Sequence, residues 1–263
     1  MISPPSQPRP SLAPLRTRIR RLERAGRLES STSEHGALAF GVAAIDAHLP
    51  EGGLALGRLH EILGSGGPEI GATTLFAASL LARLKGPVLW CHGGQGLFPD
   101  LFPPGLAGVG LSPDRVIHVA AGEQKTVLLA MEEGLRKPGL AGVIGEISSL
   151  PMLASRRLAL AAFASGTLAL ALRCPTGKKP EGEEHVPTAA ATRWRVRPLP
   201  SPPAGRGLGR TLAAPRWRLE LLRCRGAEAA AWIVVAPDAA GRLDLAAVLP
   251  DRAAAPLREG ARA

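Results

Sequence analysis

The glycine-rich stretch GSGGPEIGATT at residues 64–74 has the residue types that can hold a phosphate group. It lies between an apolar run and a helical pattern, and a loop in that position directs backbone N–H groups and a helix N-terminus at an anion. Aligned on the motif G-x-x-x-x-G-K-[ST], Gly66 and Gly71 take the glycine positions and Thr73 takes the hydroxyl position. Thr74 follows directly. These four residues are the candidate nucleotide-binding residues.

This loop lacks the positive charge that a nucleoside triphosphate needs. Ala72 occupies the position of the lysine that reaches the β- and γ-phosphates, and no lysine or arginine occurs between Arg58 and Arg83. Glu69 adds a negative charge that repels a triphosphate. We therefore interpret the stretch as a degenerate phosphate loop that joins a strand to a helix. We expect no cofactor and no ATP hydrolysis, with weakened nucleotide binding as the alternative.

No other residue pattern indicates a catalytic or metal site. The six histidines never take the H-E-x-x-H spacing of a zinc site, and no G-x-S-x-G nucleophile elbow is present. Cys91 and His92 are adjacent on a predicted strand, so their side chains point to opposite faces, which favours a buried thiol over a thiolate–imidazole pair. We predict no catalytic residue and no bound metal.

Strands and helical patterns alternate between residues 40 and 175. We predict strands over 58–64, 87–91, 115–120, 139–147 and 167–173, and helices over 72–84, 122–137 and 151–164. This alternation is typical of right-handed βαβ units and of an α/β fold with a mostly parallel sheet and helices on both faces. Further strands, over 191–197, 216–221, 231–236 and 242–249, are expected to add antiparallel strands in the C-terminal third.

Positive charge is concentrated in two regions of this 263-residue chain, which has a net charge of +10. Residues 1–28 contain seven arginines and one glutamate, and residues 173–225 contain twelve basic and four acidic residues. Such regions can neutralise phosphates, so a weak contact with DNA is one interpretation. An arginine-rich genome composition is the other.

The first basic region contains an amphipathic helix over residues 12–24. Three apolar residues recur at i, i+4 and i+7 among five arginines, a pattern that could dock on a partner or pack on the helix's own domain. The contact candidates here are Leu15, Arg16, Ile19, Arg20 and Leu22.

The second basic region contains two strands with one wet face. Arginines alternate with Trp194 and Val196 in the first strand and with Trp217 and Leu219 in the second, so the tryptophans are expected on the dry side. The contact candidates here are Arg193, Arg195, Arg216 and Arg218.

The chain divides into three predicted parts. Residues 1–38 form the basic helix and a linker, residues 39–250 form the α/β domain with a flexible Pro/Gly-rich loop at 198–215, and residues 251–263 form a disordered tail. Three cysteines without a C-x-x-C pair favour a reducing compartment, and no segment has the length and apolarity of a secretory signal or a membrane span. We predict a cytoplasmic protein without a membrane partner.

The run GVAAIDAHLPEGGLALGRLHEILG at residues 41–64 resembles the opening of the RecA recombinase core. The chain is more similar still to the ImuA family, the RecA-like, SulA-related proteins of bacterial mutagenesis cassettes. The matching segments, within residues 12–237, include PVLWC, LFPPGLAGVGLSPDRVIHV, MEEGLRKPGLAGVIGEI, ASRRLALAAFASG, AATRWRV and RWRLELLRCRG. The resemblance implies a RecA-like P-loop-type core.

Two departures from active RecA-type ATPases accompany Ala72. Where those enzymes end their second strand with a carboxylate that activates water, this chain has the sequence PVLWCHGGQG. Glu146 stands alone where such folds place an aspartate linked to Mg²⁺, and a structural role for it is favoured over a metal-binding one.

The resemblance implies a function without catalysis. Members of the ImuA family are accessories in damage-induced translesion DNA synthesis and mutagenesis, under control of the SOS response. The implied partners are RecA, an ImuB-type polymerase-like protein and an error-prone replicative-type polymerase. We therefore expect a protein that is not an enzyme and acts through protein contacts. The alternatives are an active RecA-type DNA-dependent ATPase and a SulA-like cell-division inhibitor.

Overall fold

The computed structural model describes residues 34–64, 67–93, 100–174, 186–201 and 212–246. The strands of this part of the chain are β1 Ala37–Leu38, β2 Leu54–Ala55, β3 Leu59–Leu63, β4 Val88–His92, β5 Val116–Ala120, β6 Gly142–Ile147, β7 Leu168–Arg173, β8 Thr192–Leu199, β9 Arg216–Cys224, β10 Ala230–Val235 and β11 Asp244–Leu245. Its helices are α1 Ala43–Asp46, α2 Pro68–Ala82, α3 Pro103–Gly108, α4 Gln124–Leu135 and α5 Met152–Ser165, with a 3₁₀ turn over Pro113–Arg115.

One sheet carries nine of the described strands, in the order β11-β10-β9-β8-β3-β7-β6-β4-β5. The strands from β8 to β5 in that order pair in parallel, whereas β9, β10 and β11 continue from β8 in antiparallel pairs. Strand β3, which leads into the degenerate phosphate loop, lies between β7 and β8. The predicted α/β class, with antiparallel strands in the C-terminal third, is confirmed.

The central parallel strands β3, β7, β6 and β4 are covered on both faces, as a parallel sheet requires. Helix α2 packs on one face, where Phe76 belongs to the same apolar cluster as Trp90 and Trp194. Helices α4 and α5 pack on the other face, where Met131 and Leu158 belong to a second cluster. Each cluster is buried from water, so the parallel strands and these three helices form a rigid frame for the strand ends.

The tryptophans of β8 and β9 lie on the dry side of their strands, as predicted. Trp194 and Trp217 are 1% and 3% exposed. The Trp194 ring lies 5.2 Å from the ring of Phe40 and 6.2 Å from that of Trp232. Trp194 therefore joins the parallel core to the antiparallel extension.

Two element boundaries differ from the prediction for local reasons. Helix α2 begins at Pro68 rather than at residue 72, because Gly67 takes a left-handed φ of 52° and a proline fits the first position of a helix. Strand β6 begins at Gly142 rather than at residue 139, because Gly139 has a φ of 90° and the chain turns there.

Several predicted features lie outside the described residues. These are the helix over 12–24, the tail over 251–263, and residues 202–211 of the Pro/Gly-rich loop. Among the helices that are described, none has the length and apolarity needed to cross a membrane.

Candidate functional site

The degenerate phosphate loop lies at the carboxyl end of β3. The Gly64 N–H donates to the carbonyl of Arg173 at 2.9 Å, which ties the end of β3 to β7. Gly66 lies outside the described residues. Gly67 and Pro68 then turn the chain into α2. The strand, loop and helix of a phosphate-binding site therefore all keep their order.

Two side chains at the motif positions, those of Ala72 and Thr73, make their contacts within the protein. Ala72, at the lysine position, is 6% exposed and belongs to the main apolar cluster. Thr73 is fully buried, and its hydroxyl donates to the carbonyl of Glu69 at 2.7 Å. Gly71 and Thr74 are partly exposed in the first turns of the same helix. The hydroxyl that would face a metal-bound phosphate instead bonds within α2.

An ion pair stands at the N-terminus of α2. The Nε of Arg197, on β8, lies 3.8 Å from Oε1 of Glu69. A carboxylate in the first turn of a helix interacts favourably with the helix dipole, as a bound anion would. A triphosphate at this position would have to compete with the protein's own carboxylate.

The described residues at the carboxyl end of β4, 91–93, include no acid. Cys91 is buried in the cluster beneath α4, and burial raises the pKa of its thiol to about 12, so the thiol stays protonated. The ring of His92 stacks on that of His118, on β5, with 4.3 Å between their centroids. Cys91 is thus the buried thiol that the strand pattern predicted.

Glu146, at the carboxyl end of β6, is bonded to the core. It is 6% exposed, and the indole Nε1 of Trp90 donates to its Oε1 at 2.8 Å. Burial raises the pKa of this carboxyl group to about 7. The part of the chain that the structure describes holds no group of three side chains able to bind a metal ion.

Replacing Glu146 with glutamine should remove a pH-dependent loss of stability. Folding raises the pKa of Glu146 from 4.5 to about 7, so the folded protein binds this proton more tightly and wild-type stability falls as pH rises through this window. Glutamine keeps an acceptor for Trp90 without a charge. Urea unfolding should show the variant about 2–3 kcal/mol more stable at about pH 8 and equal to wild type at about pH 4.5. An equal difference at both pH values would contradict the assignment.

A buried ion network crosses the centre of the sheet, and the sequence patterns did not predict it. Glu61 on β3 accepts hydrogen bonds from Arg173 on β7 at 2.6 Å, from Arg193 on β8 at 3.0 Å and from the hydroxyl of Thr188. Burial alone would raise the pKa of Glu61, but the hydrogen bonds from Arg193 and Thr188 hold it below its usual value. The network therefore keeps the Glu61 carboxylate charged inside the protein, beside two buried guanidinium groups.

The prediction that Arg193 is a surface contact is wrong. Arg193 is 1% exposed, because β8 pairs with the central strand β3 and residues 186–190 lie over its first half. The alternation of wet and dry sides therefore begins only after Arg193. In the sequence, Glu61 was the signal that a basic residue is buried beside β3, since a charge inside an apolar strand needs a buried partner.

Four of the remaining basic residues of β8 and β9 lie on one side of the sheet, in a patch that we call the arginine face. It consists of Arg195, Arg197, Arg216, Arg218 and the single acid Glu220. Arg197 and Arg218 are about half exposed, and Arg218 donates to Glu220 at 2.8 Å. Arg195 is largely buried beside Glu220, and Arg216 donates to the carbonyl of Pro200 at 3.0 Å.

Two positive charges are direct cross-strand neighbours on the arginine face. Arg197 pairs in register with Arg218, and like charges in that position destabilise a sheet. Glu220 lies within 3.7 Å of Arg197 and offsets part of this repulsion. The face keeps a net positive charge, since it contains four arginines and one acid. It lies beside the degenerate phosphate loop, because Arg197 also reaches Glu69.

The contact candidates of the first basic region are not placed by the structure. Leu15, Arg16, Ile19, Arg20 and Leu22 lie outside the described residues.

The architecture is that of the RecA-like class of proteins. The crystal structure of the RadB recombinase superposes with a TM-score of 0.55, covering 75% of this chain and 95% of that one, at 15% identity. At that identity the likeness establishes the fold alone. No family model matches the chain.

Sequence comparison identifies the family within this class. Protein ImuA from Caulobacter vibrioides, in strain NA1000 and in strain CB 15, is 37% identical over 211 residues, which cover 77% of this chain and 84% of that protein. The chain belongs to the ImuA family.

Proposed function

We propose that this protein is a non-catalytic RecA-like accessory in damage-induced translesion DNA synthesis and mutagenesis. The observation that carries the proposal is the phosphate loop. The strand before it and the helix after it keep their order, but the side chains that would bind and activate a phosphate are missing or bonded elsewhere. Ala72 replaces the lysine, and the hydroxyl of Thr73 bonds to the carbonyl of Glu69. Phosphoryl transfer depends on positioned positive charge around the transferred phosphoryl group, and these positions supply none.

The two strand ends beside the loop support the same conclusion. Cys91 and His92 end β4, where an ATPase needs a carboxylate to orient the attacking water. Glu146 ends β6, and a carboxyl group with a pKa of about 7 that bonds to a buried indole is a poor ligand for Mg²⁺. A function through protein contacts requires neither group.

The arginine face is our proposed contact surface on the described domain. Its in-register pair Arg197 and Arg218 costs stability in the isolated chain, and an acidic partner surface would offset that cost. RecA is the proposed partner, with an ImuB-type polymerase-like protein and an error-prone replicative-type polymerase completing the assembly.

Truncating the arginine face should weaken capture of RecA. We expect the double variant Arg197→Ala, Arg218→Ala to lose about tenfold in affinity for RecA, because two half-exposed charges are removed from the interface. Lys85→Ala with Lys125→Ala removes the same charge from exposed positions elsewhere and should change the affinity less than about twofold. The affinities can be measured by surface plasmon resonance at two salt concentrations.

Two outcomes would contradict the proposed surface. Equal RecA affinity for the arginine-face variant and the lysine control would remove this face from the RecA contact. Unchanged RecA affinity together with lost retention on single-stranded DNA would assign the face to DNA instead.

A further inference from the structure

Helix α5 exposes two leucines to solvent on one side. Leu153 and Leu160 are 72% and 70% exposed, although Leu158 on the opposite side of the helix is buried against the sheet. Arg157 and Ala164 continue the exposed side, so the four residues recur at intervals of four, three and four. We call them the α5 stripe. Leucines at this spacing are typical of a helix that packs against a second helix.

A groove of about 710 Å³ runs beside the α5 stripe, between α4 and α5. Leu135, Leu160 and Ala164 supply apolar lining. The acid in its wall, Glu132, is already paired with Arg136 and with Arg157. A groove whose acid is paired and whose remaining lining is apolar except for Ser165 accepts hydrophobic side chains better than an ion.

The chain enters the described domain at the end of α5. The Nε2 of His35 lies 2.7 Å from the carbonyl of Phe163, and the two rings meet edge to face with 5.7 Å between centroids. Phe163 is in the last turn of α5, so residue 35 is held beside one end of the α5 stripe. The ten residues 25–34 can span up to about 33 Å, and the 14 residues of α5 extend about 21 Å, so a segment before residue 25 can reach any part of the stripe.

We propose that residues 12–24 dock as a helix on the α5 stripe of the same chain. The apolar residues of that segment, Leu12, Leu15, Ile19 and Leu22, follow the same interval of three and four and form one seam. Thirteen helical residues extend about 20 Å, which matches the length of α5. The spacing, the length and the point of entry therefore agree on one occupant.

Tethering favours this occupant over a second copy or a separate protein. A segment joined by a short linker has an effective concentration of about millimolar, which exceeds that of most free partners. Docking buries the seam and turns Arg20, Arg21 and Arg24 outward, since these positions lie on the opposite side of the helix. The docked helix thus displays its arginines while its leucines stay covered.

Hydrogen exchange on the full chain tests the proposal. In the wild-type protein the amides of residues 12–24 should exchange about tenfold or more slowly than in an unstructured peptide, and Leu153→Asp with Leu160→Asp should remove that protection. Both substitutions are at exposed positions, so protection of the sheet should not change. Leu212→Asp, at a residue that is also 70% exposed, is the matched control and should leave residues 12–24 protected.

Three results would overturn the proposal. Residues 12–24 that exchange freely in the wild-type protein are not docked. Protection that survives both aspartates has another cause. Protection that disappears on dilution of the wild-type protein belongs to a contact between two copies. None of these results bears on ATP turnover or RecA binding, so this proposal and the proposed function can fail separately.

Discussion

Replacing Glu61 with glutamine should lower the free energy of unfolding by about 3–5 kcal/mol. The variant removes the carboxylate that accepts hydrogen bonds from both Arg173 and Arg193 at the centre of the sheet, so two buried guanidinium groups lose this counter-charge. Removing one member of a buried network is far more costly than removing an exposed pair, since water cannot solvate the charges that remain. Urea unfolding followed by circular dichroism measures the change.

An exposed glutamate provides the control for this prediction. Glu133 bonds to Arg136 on the surface of α4, and Glu133→Gln should cost less than about 1 kcal/mol. A second variant, Glu61→Gln with Arg193→Met, should recover part of the loss because it also removes one of the two buried guanidinium groups that paired with Glu61. A loss for Glu61→Gln no larger than that for Glu133→Gln would show that the network is not buried as described.

Replacing Trp194 with alanine should cost about 3–5 kcal/mol, because it opens a cavity where three parts of the molecule meet. The ring packs on Phe40 and Trp232, and its Nε1 donates to the hydroxyl of Thr192 at 2.8 Å. Trp194→Phe fills most of the space but loses the hydrogen bond, so it should cost about 1–2 kcal/mol. Thermal unfolding by calorimetry should rank the variants in that order.

Ile117→Ala is the matched control for Trp194. Ile117 is 48% exposed on the edge strand β5, and its truncation should cost less than about 1 kcal/mol. A similar loss from both truncations would contradict the central position of Trp194. A tryptophan this deeply buried also cannot stack on a base without local unfolding, so single-stranded DNA should not quench its fluorescence.

The sequence was sufficient to place the strands and helices of the parallel core along the chain, because each of them carried its own periodicity. The apolar runs that became β3, β4, β6 and β7 and the helical runs that became α2, α4 and α5 were all predicted in place. Alternation also placed Trp194 and Trp217 on the dry side of their strands, since that pattern is local.

Contacts between distant residues could not be predicted from local patterns. Arg193 reads as part of a wet strand face until β8 is known to pair with β3, which places it beside Glu61, 132 residues away in sequence. The bond between Trp90 and Glu146 likewise depends on the pairing of β4 with β6. A glutamate and an arginine within apolar strands signal a buried pair but do not identify the partners.

The candidate site likewise has one feature that the sequence shows and others that only the fold shows. The missing lysine at Ala72 is visible in the sequence, whereas the bond from Thr73 to Glu69 and the ion pair between Glu69 and Arg197 appear only in the fold. Both contacts lie in the first turns of α2, so the Glu69 carboxylate and the Thr73 hydroxyl each have a partner within the protein.

Phosphate release from ATP tests the proposed absence of catalysis most directly. The purified full chain is assayed with Mg²⁺ and single-stranded DNA, alongside Thr73→Val, which removes the motif hydroxyl, and Ala72→Lys, which restores the motif lysine. We predict no turnover above a protein-free control for any of the three, because lysine alone supplies neither the missing carboxylate after β4 nor a metal ligand. Steady phosphate release by the wild-type chain that Thr73→Val abolishes would contradict the account.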